Sequence, residues 1–263
     1  MSDSVRVGRD GAVAIITMNR PQALNALNQE LTRGLRKAID ESAKDSGVGA
    51  LILTGEGRAF CAGADLKDVT ARLERGDSTL GDDLRSNYAP VIRVIRACPK
   101  PVIAALNGTA AGAGLSIALA CDLRIASTEA SLVVIFVRVG LVPDAGSLFF
   151  LTRMLGLSKA TELALTGEPL SAQDAERLGV VSRVVPSDQV MSAALERARQ
   201  LASGPRQTYA LIKRGLERAY DLDLEQALEL EAQLQTLASR TPDAEEAIRA
   251  FVEKRAPAFG RTP

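Results

Sequence analysis

Three short stretches of this 263-residue chain carry residue types that could do chemistry. The first is Asn107-Gly108-Thr109-Ala110-Ala111-Gly112-Ala113-Gly114, which runs into apolar residues 115–120 and then Cys121-Asp122. A Gly-rich turn that opens a buried helix leaves main-chain NH groups unpaired at the positive end of the helix dipole. An oxygen gaining negative charge can be held there without a charged side chain. The same small residues also let two backbones pack closely, so composition alone leaves both roles open. The second stretch, Gly57-Arg58-Ala59-Phe60-Cys61-Ala62-Gly63-Ala64-Asp65-Leu66-Lys67, follows a strand-like run at 50–53 and could offer an NH from the opposite side. The third is Pro143-Asp144-Ala145-Gly146, where turn chemistry lets Asp144 cap a helix running from about Ser147 to Leu155 or leaves it free as a carboxylate.

Composition narrows the chemistry. Histidine is absent, which removes Ser-His-Asp and Cys-His catalysis and most zinc and non-haem iron sites; acid-base work falls to carboxylates or other groups. Cys61, Cys98 and Cys121 are odd in number, widely spaced and without a Cys-x-x-Cys pair, a pattern of buried reduced thiols in a reducing compartment. Lys plus Arg equals Asp plus Glu at 32 each, so no overall field draws the chain to nucleic acid or to an anionic membrane. The longest apolar runs fall far short of a membrane span, and Met1-Ser2-Asp3-Ser4 has neither a basic segment nor a hydrophobic signal core. A cytoplasmic protein with no nucleic-acid or membrane partner is expected.

The elements that must position these stretches follow from hydrophobic patterning. Val13–Met18, residues 50–53, Val102–Leu106, residues 123–126 and residues 180–185 read as strands, with helical patterns between most of them. That alternation predicts an α/β fold. Residues 28–46, with Leu31, Leu35 and Ile39 at helical spacing, form an amphipathic helix capped by Asn28. Ser171-x-x-Asp174 and Ser187 mark later helix starts, and Gly179 closes the first of these helices. Strand signals cease near Ser203-Gly204-Pro205. Three helices then follow at about 206–220, 223–239 and 242–253, the last opened by Thr241-Pro242. The division is therefore a core over residues 1–203 and a helical region over 204–263. Residues 72–83, charged and containing Gly76 and Gly81, read as a mobile surface loop.

The Gly-rich turn and the 57–67 loop together resemble the enoyl-CoA hydratase/isomerase family, the crotonase superfamily. The resemblance runs along nearly the whole chain: Asn19-Arg20-Pro21, Asn25-Ala26-Leu27, Pro99-Lys100-Pro101-Val102-Ile103-Ala104, Gly140-Leu141-Val142-Pro143-Asp144-Ala145-Gly146, Leu165-Thr166-Gly167, Ser171-Ala172, Gly179-Val180-Val181 and Phe251-Val252-Glu253-Lys254-Arg255. It implies a crotonase-type spiral of strand-strand-helix turns whose C-terminal helices build a homotrimer or a dimer of trimers. It also implies a CoA thioester as substrate, with no metal and no redox cofactor.

By the same resemblance, the amides of Ala64 and Ala113 hold the oxygen of a thioester enolate. Ala62, Ala64, Asp65, Leu66, Lys67 and Ala113 face CoA, Phe251 and Lys254 close over it, and Arg58 and Lys67 are placed to meet phosphates. The family's hydratases carry two glutamates, and here those positions are Ser116 and Phe136, neither able to act as a carboxylate. With Val142 they line the acyl pocket. Asp144 matches members that isomerise enoyl-CoA double bonds, and the Ala110–Gly114 and Gly140–Asp144 segments look particularly like the 1,2-epoxyphenylacetyl-CoA isomerase branch. Phe136 and Val142 would give Asp144 an apolar setting that raises its pKa. Two other readings remain: an aryl-CoA dehalogenase with Asp144 as nucleophile, though the chain has no Trp or His to serve it, and a non-catalytic acyl-CoA binding scaffold with Asp144 as a helix cap.

Overall fold

The computed structural model describes residues 4–76 and 79–260. Met1–Asp3, part of the segment read above for a missing signal core, lie outside the described residues. So do residues 77–78 of the expected loop and the last three of the 204–263 region.

The chain winds by laying strands alternately into two sheets and then crossing over by helices. Strands β1 (Val5–Asp10) and β2 (Val13–Met18) form a hairpin, and helix α1 (Gln29–Lys44) leads to β3 (Ala50–Gly55) and β4 (Ala59–Cys61). Helices α2 (Leu66–Glu74), α3 (Leu80–Asp83) and α4 (Ala89–Ala97) return the chain to β5 (Val102–Leu106), β6 (Thr109–Ala111) and α5 (Ala113–Ala120). The next turn is β7 (Leu123–Ser127), β8 (Ser131–Val133), a 3₁₀ segment (Ile135–Val139) and α6 (Ser147–Thr166). Strand β9 (Pro169–Ser171), α7 (Ala172–Arg177), β10 (Arg183–Val185) and α8 (Val190–Ala202) complete the core. Helices α9 (Arg206–Ala219), α10 (Leu224–Ala238) and α11 (Pro242–Val252) follow. The larger sheet has the order β1-β2-β3-β5-β7-β10 and is parallel except for the hairpin; the smaller has the order β4-β6-β8-β9.

Burial explains why the central strands read as unbroken apolar runs. In β3, Leu51 and Leu53 face the core shared with α1, α4 and α5, while Ala50 and Ile52 face the layer under α8, formed with Ile103, Ala105, Ala194 and Ala198. A parallel strand covered on both faces needs apolar residues at every position, and each buried Leu or Ile contributes roughly 1.5–3 kcal/mol.

Most caps and bounds agree with expectation. The Asn28 carboxamide accepts from the Leu31 amide at 2.9 Å, Ser171 caps α7, and Thr241 with Pro242 opens α11. Three expectations need correction. Only residues 183–185 of the 180–185 run pair as a strand, because the amides of Val180 and Val181 both bond the Ala175 carbonyl in the turn after α7. Ser187 caps no α-helix; it begins a 3₁₀ turn, and its hydroxyl meets that of Ser127 at 2.6 Å. The 72–83 stretch is no solvated loop at either end. Arg72 lies in α2 and Asp83 in α3, and the two form a buried ion pair.

Candidate active site

The site is built where β4 and β6, parallel neighbours in the smaller sheet, release their chains side by side. After β4, residues 62–65 are held by a second layer. The Leu27 amide donates to the Gly63 carbonyl at 2.7 Å, the Asp65 amide to the Leu27 carbonyl at 3.0 Å, and the Ala62 amide to the Leu24 carbonyl at 3.0 Å. Asn25, fully buried with φ 57°, backs this layer: its carboxamide donates to the carbonyls of Glu56 and Ala59 and accepts from the Arg20 amide. These bonds engage the residues on either side of Ala64 and leave the Ala64 amide itself without an internal partner among the described residues. The Ala113 amide, first in α5, is in the same state.

Two glycines let the loops approach. Gly63 has φ 99° and Gly112 φ 51°, values that L side chains rarely adopt. A Cβ on Gly63 would stand 2.9 Å from the Ala111 carbonyl oxygen and 3.6 Å from the Ala113 nitrogen. The two free amides therefore belong to backbones in direct contact, one of them at the N-terminus of a helix buried along its whole length. Such a pair can hold an oxyanion by NH donation reinforced by the helix dipole.

Asp144 supplies a carboxyl group. Its Oδ1 is buried without a hydrogen-bond partner, and the N-cap of α6 is Gly146 with no side-chain cap, so Asp144 does not cap that helix. The turn is tight, with Ala145 at φ 48° and Gly146 at φ 88°. Burial, and secondarily the negative charge of Asp83, pushes the Asp144 carboxyl up to about 6. Phe136 is buried, and its ring reaches toward Gly112. Val142 is 74% exposed, so it does not wall the carboxyl as expected. Ser116 is also placed differently from expectation: it is fully buried and spends its hydroxyl on the Asp144 carbonyl at 3.0 Å and the Ser147 hydroxyl at 2.6 Å.

The family model for enoyl-CoA hydratase/isomerase matches residues 8–262. The chain belongs to that family. It is 39% identical over 260 residues to a Rhodobacter capsulatus protein described as a probable enoyl-CoA hydratase, covering 97% of both chains. It is also 39% identical over 247 residues to the 1,2-epoxyphenylacetyl-CoA isomerase of Escherichia coli K12, covering 94% of each. The structure of an enoyl-CoA hydratase from Polaromonas sp. JS666 matches with a TM-score of 0.92 at 34% identity, covering 96% of this chain and 98% of that one. The fold is thus the crotonase type, and the family acts on acyl-CoA thioesters.

The remaining residues expected around CoA are distributed unevenly in this crotonase-type chain. Leu66 and Lys67, which follow the 62–65 loop into α2, are exposed, and so is Arg58, which precedes β4 at the strand's other end. The Asp65 side chain is committed to the scaffold: it pairs with Arg20 at 2.9 Å and receives the Asp68 amide at 3.4 Å. Burial pushes its carboxyl up, but the Arg20 hydrogen bond and the Asp68 and Lys67 amides outweigh this and hold it below the usual carboxylate range. Phe251, 85% exposed, and Lys254 lie on a C-terminal segment bonded to itself, through Glu246 to Arg255 and Ala258 and through Asp243 to Gly260. No hydrogen bond or ion pair joins that segment to the 62–67 loop among the described residues. The three cysteines are buried and free, and burial raises the thiols of Cys61 and Cys121 to about 12, leaving them protonated packing groups. Asn25 and Leu27 take a scaffolding role that their motif does not declare; the one signal in the sequence is an Asn in an apolar setting, a residue that tolerates left-handed backbone.

Proposed function

We propose that this enzyme is an enoyl-CoA isomerase working by one-base proton transfer. Asp144 removes a proton from the carbon beside the thioester carbonyl of a 3-enoyl-CoA. The electron pair moves into the carbonyl, whose oxygen becomes an enolate held by the Ala64 and Ala113 amides. Protonated Asp144 then returns the same proton to the far carbon of the conjugated system, giving the trans-2-enoyl-CoA. With a 1,2-epoxyphenylacetyl-CoA, the related electron flow opens the epoxide. Each oxyanion donor is worth about 3 kcal/mol of transition-state stabilisation.

The observation that carries this reading is the Asp144 carboxyl, whose buried Oδ1 has no hydrogen-bond partner. Hydration needs one group to activate water and another to handle the proton, and the two positions that resemble the hydratases' glutamates hold Ser116 and Phe136. A pKa near 6 suits a base that must take a proton at neutral pH and give it back. CoA contacts by residues 62–67, closure by Phe251 and Lys254, and trimeric assembly through α9–α11 are parts of the same proposal. The test is a panel of 3-enoyl-, 2-enoyl- and epoxyphenylacetyl-CoA thioesters assayed for isomerisation and hydration. Isomerisation of a 3-enoyl- or epoxyphenylacetyl-CoA without appreciable hydration of crotonyl-CoA is expected. Rapid formation of 3-hydroxybutyryl-CoA would overturn the reading.

A further inference from the structure

We infer that Ser116 is a positioning residue that locks the base loop to the oxyanion helix, with Ser147 as the second link of the same hydrogen-bonded rail. This rests on the reading of Asp144 as the base.

Ser116 lies three residues after Ala113 on α5, so the two share one side of that helix. Its hydroxyl has three neighbours: the Asp144 carbonyl at 3.0 Å, the Ser147 hydroxyl at 2.6 Å and the Gly112 carbonyl at 3.3 Å. Carbonyls only accept, whereas either hydroxyl can donate in the Ser116–Ser147 contact. With the Ser116 hydrogen on the nearer carbonyl, that of Asp144, the Ser147 hydroxyl donates to the Ser116 oxygen. We assign the rail this way, Ser147 OH to Ser116 OH to Asp144 C=O, because it gives the Asp144 carbonyl its donor and lets each bond polarise the next.

The Asp144 carbonyl also accepts the Ser147 amide at 2.8 Å. Two donors from different directions therefore fix the plane of the peptide between Asp144 and Ala145. That plane matters because Ala145 at φ 48° has left ordinary backbone space, and a non-glycine residue stays there only when its surroundings hold it. Ser116 and Ser147 are both fully buried, so solvent does not compete for the rail. Through it, the Asp144 carboxyl, which accepts no bond at Oδ1, has its backbone anchored one turn from the Ala113 amide that receives the enolate. Proton transfer depends steeply on this distance, and a misplacement of about 1 Å costs on the order of 10²-fold in rate.

Ser116 also stands at the position that resembles a hydratase glutamate. A longer side chain there would meet the Asp144 carbonyl and the Ser147 hydroxyl, so Ser116→Glu destroys isomerisation instead of adding hydration.

The experiment compares kcat, KM and melting temperature for full-length wild type, Ser116→Ala, Ser116→Cys, Ser147→Ala and Asp144→Asn, with 3-hexenoyl-CoA as substrate. Ser116→Ala is expected to lose about tenfold or more in kcat with KM near wild type, and to melt a few degrees lower because the buried Ser147 hydroxyl loses its partner. Ser116→Cys, nearly the same shape with a weaker donor, falls between, and reports the same effect if the alanine variant does not fold. Ser147→Ala loses less than Ser116→Ala, because it leaves the Ser116 bond to Asp144 intact. Wild-type kcat in both Ser116 variants beside an inactive Asp144→Asn overturns this inference alone. So does a loss in kcat/KM carried by KM with kcat near wild type, the mark of a disturbed binding site and not of a displaced base. An active Asp144→Asn removes the base assignment and this inference with it.

Discussion

Arg72 and Asp83 form a bidentate ion pair, 2.7 and 2.8 Å, with both side chains almost wholly buried. The pair clasps α2 to α3 and fixes a negative charge whose field reaches Asp144 and the Tyr88 hydroxyl. Asp83 has both oxygens engaged, by Arg72 and by Asn87, so it acts as a fixed charge and not as a second base. An isolated buried carboxylate would be costly, and Arg72 supplies the pairing that offsets the burial of Asp83.

That geometry sets the pH dependence. The Asp144 carboxyl must be ionised to accept a proton, so kcat/KM for isomerisation is expected to rise with pH through about 6 and level off above it. Asp83 is the charged group that shifts the Asp144 carboxyl, and the Asp144 charge in turn acts on the Tyr88 hydroxyl. Asp83→Asn keeps an acceptor for Arg72 but removes the like charge, so ionisation of Asp144 becomes easier and the acid limb shifts to lower pH. A pH-rate profile of the two proteins checks this; an unmoved limb, or one moved upward, rules out the electrostatic role of Asp83.

The same clasp marks where sequence reading reaches its limit. Val102–Leu106 was legible to the residue because a parallel strand covered on both faces must be apolar throughout, and Val13–Met18 because its apolar, β-branched run is interrupted only by the half-buried Thr17. Asn28, Ser171 and Thr241 were legible because capping needs a particular side chain at a particular place. The three-residue strands β4, β6, β8 and β9 carry too few residues to show a period, and small residues such as Thr109-Ala110-Ala111 give no strand signal. Arg72 and Asp83 look like surface charge because their partnership spans eleven positions and appears only once α2 and α3 fold together. The free amides of Ala64 and Ala113 carry no side-chain signature; the glycines beside them are their trace in the sequence, and family resemblance made that trace a candidate site. Val142 was misplaced because an apolar residue in a turn does not reveal which way it faces.

Gly114 gives a test of the oxyanion geometry that leaves the base untouched. A Cβ there would stand 2.5 Å from the Cys61 carbonyl oxygen and 2.6 Å from the Cys61 sulfur, forcing α5 away from β4. Gly114→Ala is expected to cost roughly 1–3 kcal/mol of stability, as overpacked cores do, and to lower kcat because the Ala64 and Ala113 amides no longer converge. Chemical denaturation together with steady-state kinetics measures both, and a variant with wild-type stability and turnover would show that the contact is not required.

The helical region after Ser203 exposes Ile212, Leu216, Leu224, Leu228, Ile248, Phe251 and Val252 in the single chain. Between α9 and α10 lies an open apolar groove of ≈ 630 Å³. Apolar surface on this scale is normally covered by a partner. Truncation after Ser203 is therefore expected to abolish both assembly and activity. Light scattering and acyl-CoA binding on the truncated chain provide the measurement; a soluble protein that keeps the full-length oligomeric state and its acyl-CoA affinity contradicts the expectation.

Asp144→Asn separates chemistry from architecture. The backbone bonds of Asp144 to Ser116 and Ser147 do not involve its carboxyl, and asparagine has nearly the same shape, so the rail and the α6 start survive. The variant lacks a proton acceptor, and at least ~10²-fold loss of kcat is expected, with acyl-CoA affinity retained because the Ala64 and Ala113 amides still meet the thioester oxygen. Stability should change in a direction that identifies the group. Folding raises the Asp144 carboxyl from 3.8 to about 6, so its stabilising neutral form is fully present below 3.8 and is lost as pH rises through about 6. Asparagine stays neutral throughout. The variant should thus melt a few degrees above wild type at pH 8, roughly 2–4 °C for each kcal/mol relieved, and lose that advantage below pH 4. Melting curves at the two pH values, taken beside turnover and acyl-CoA binding, read both effects on one protein. An active variant would leave the family fold without this base, and an inactive one with no gain at pH 8 would mean that the Asp144 carboxyl is not held in the raised state its burial implies.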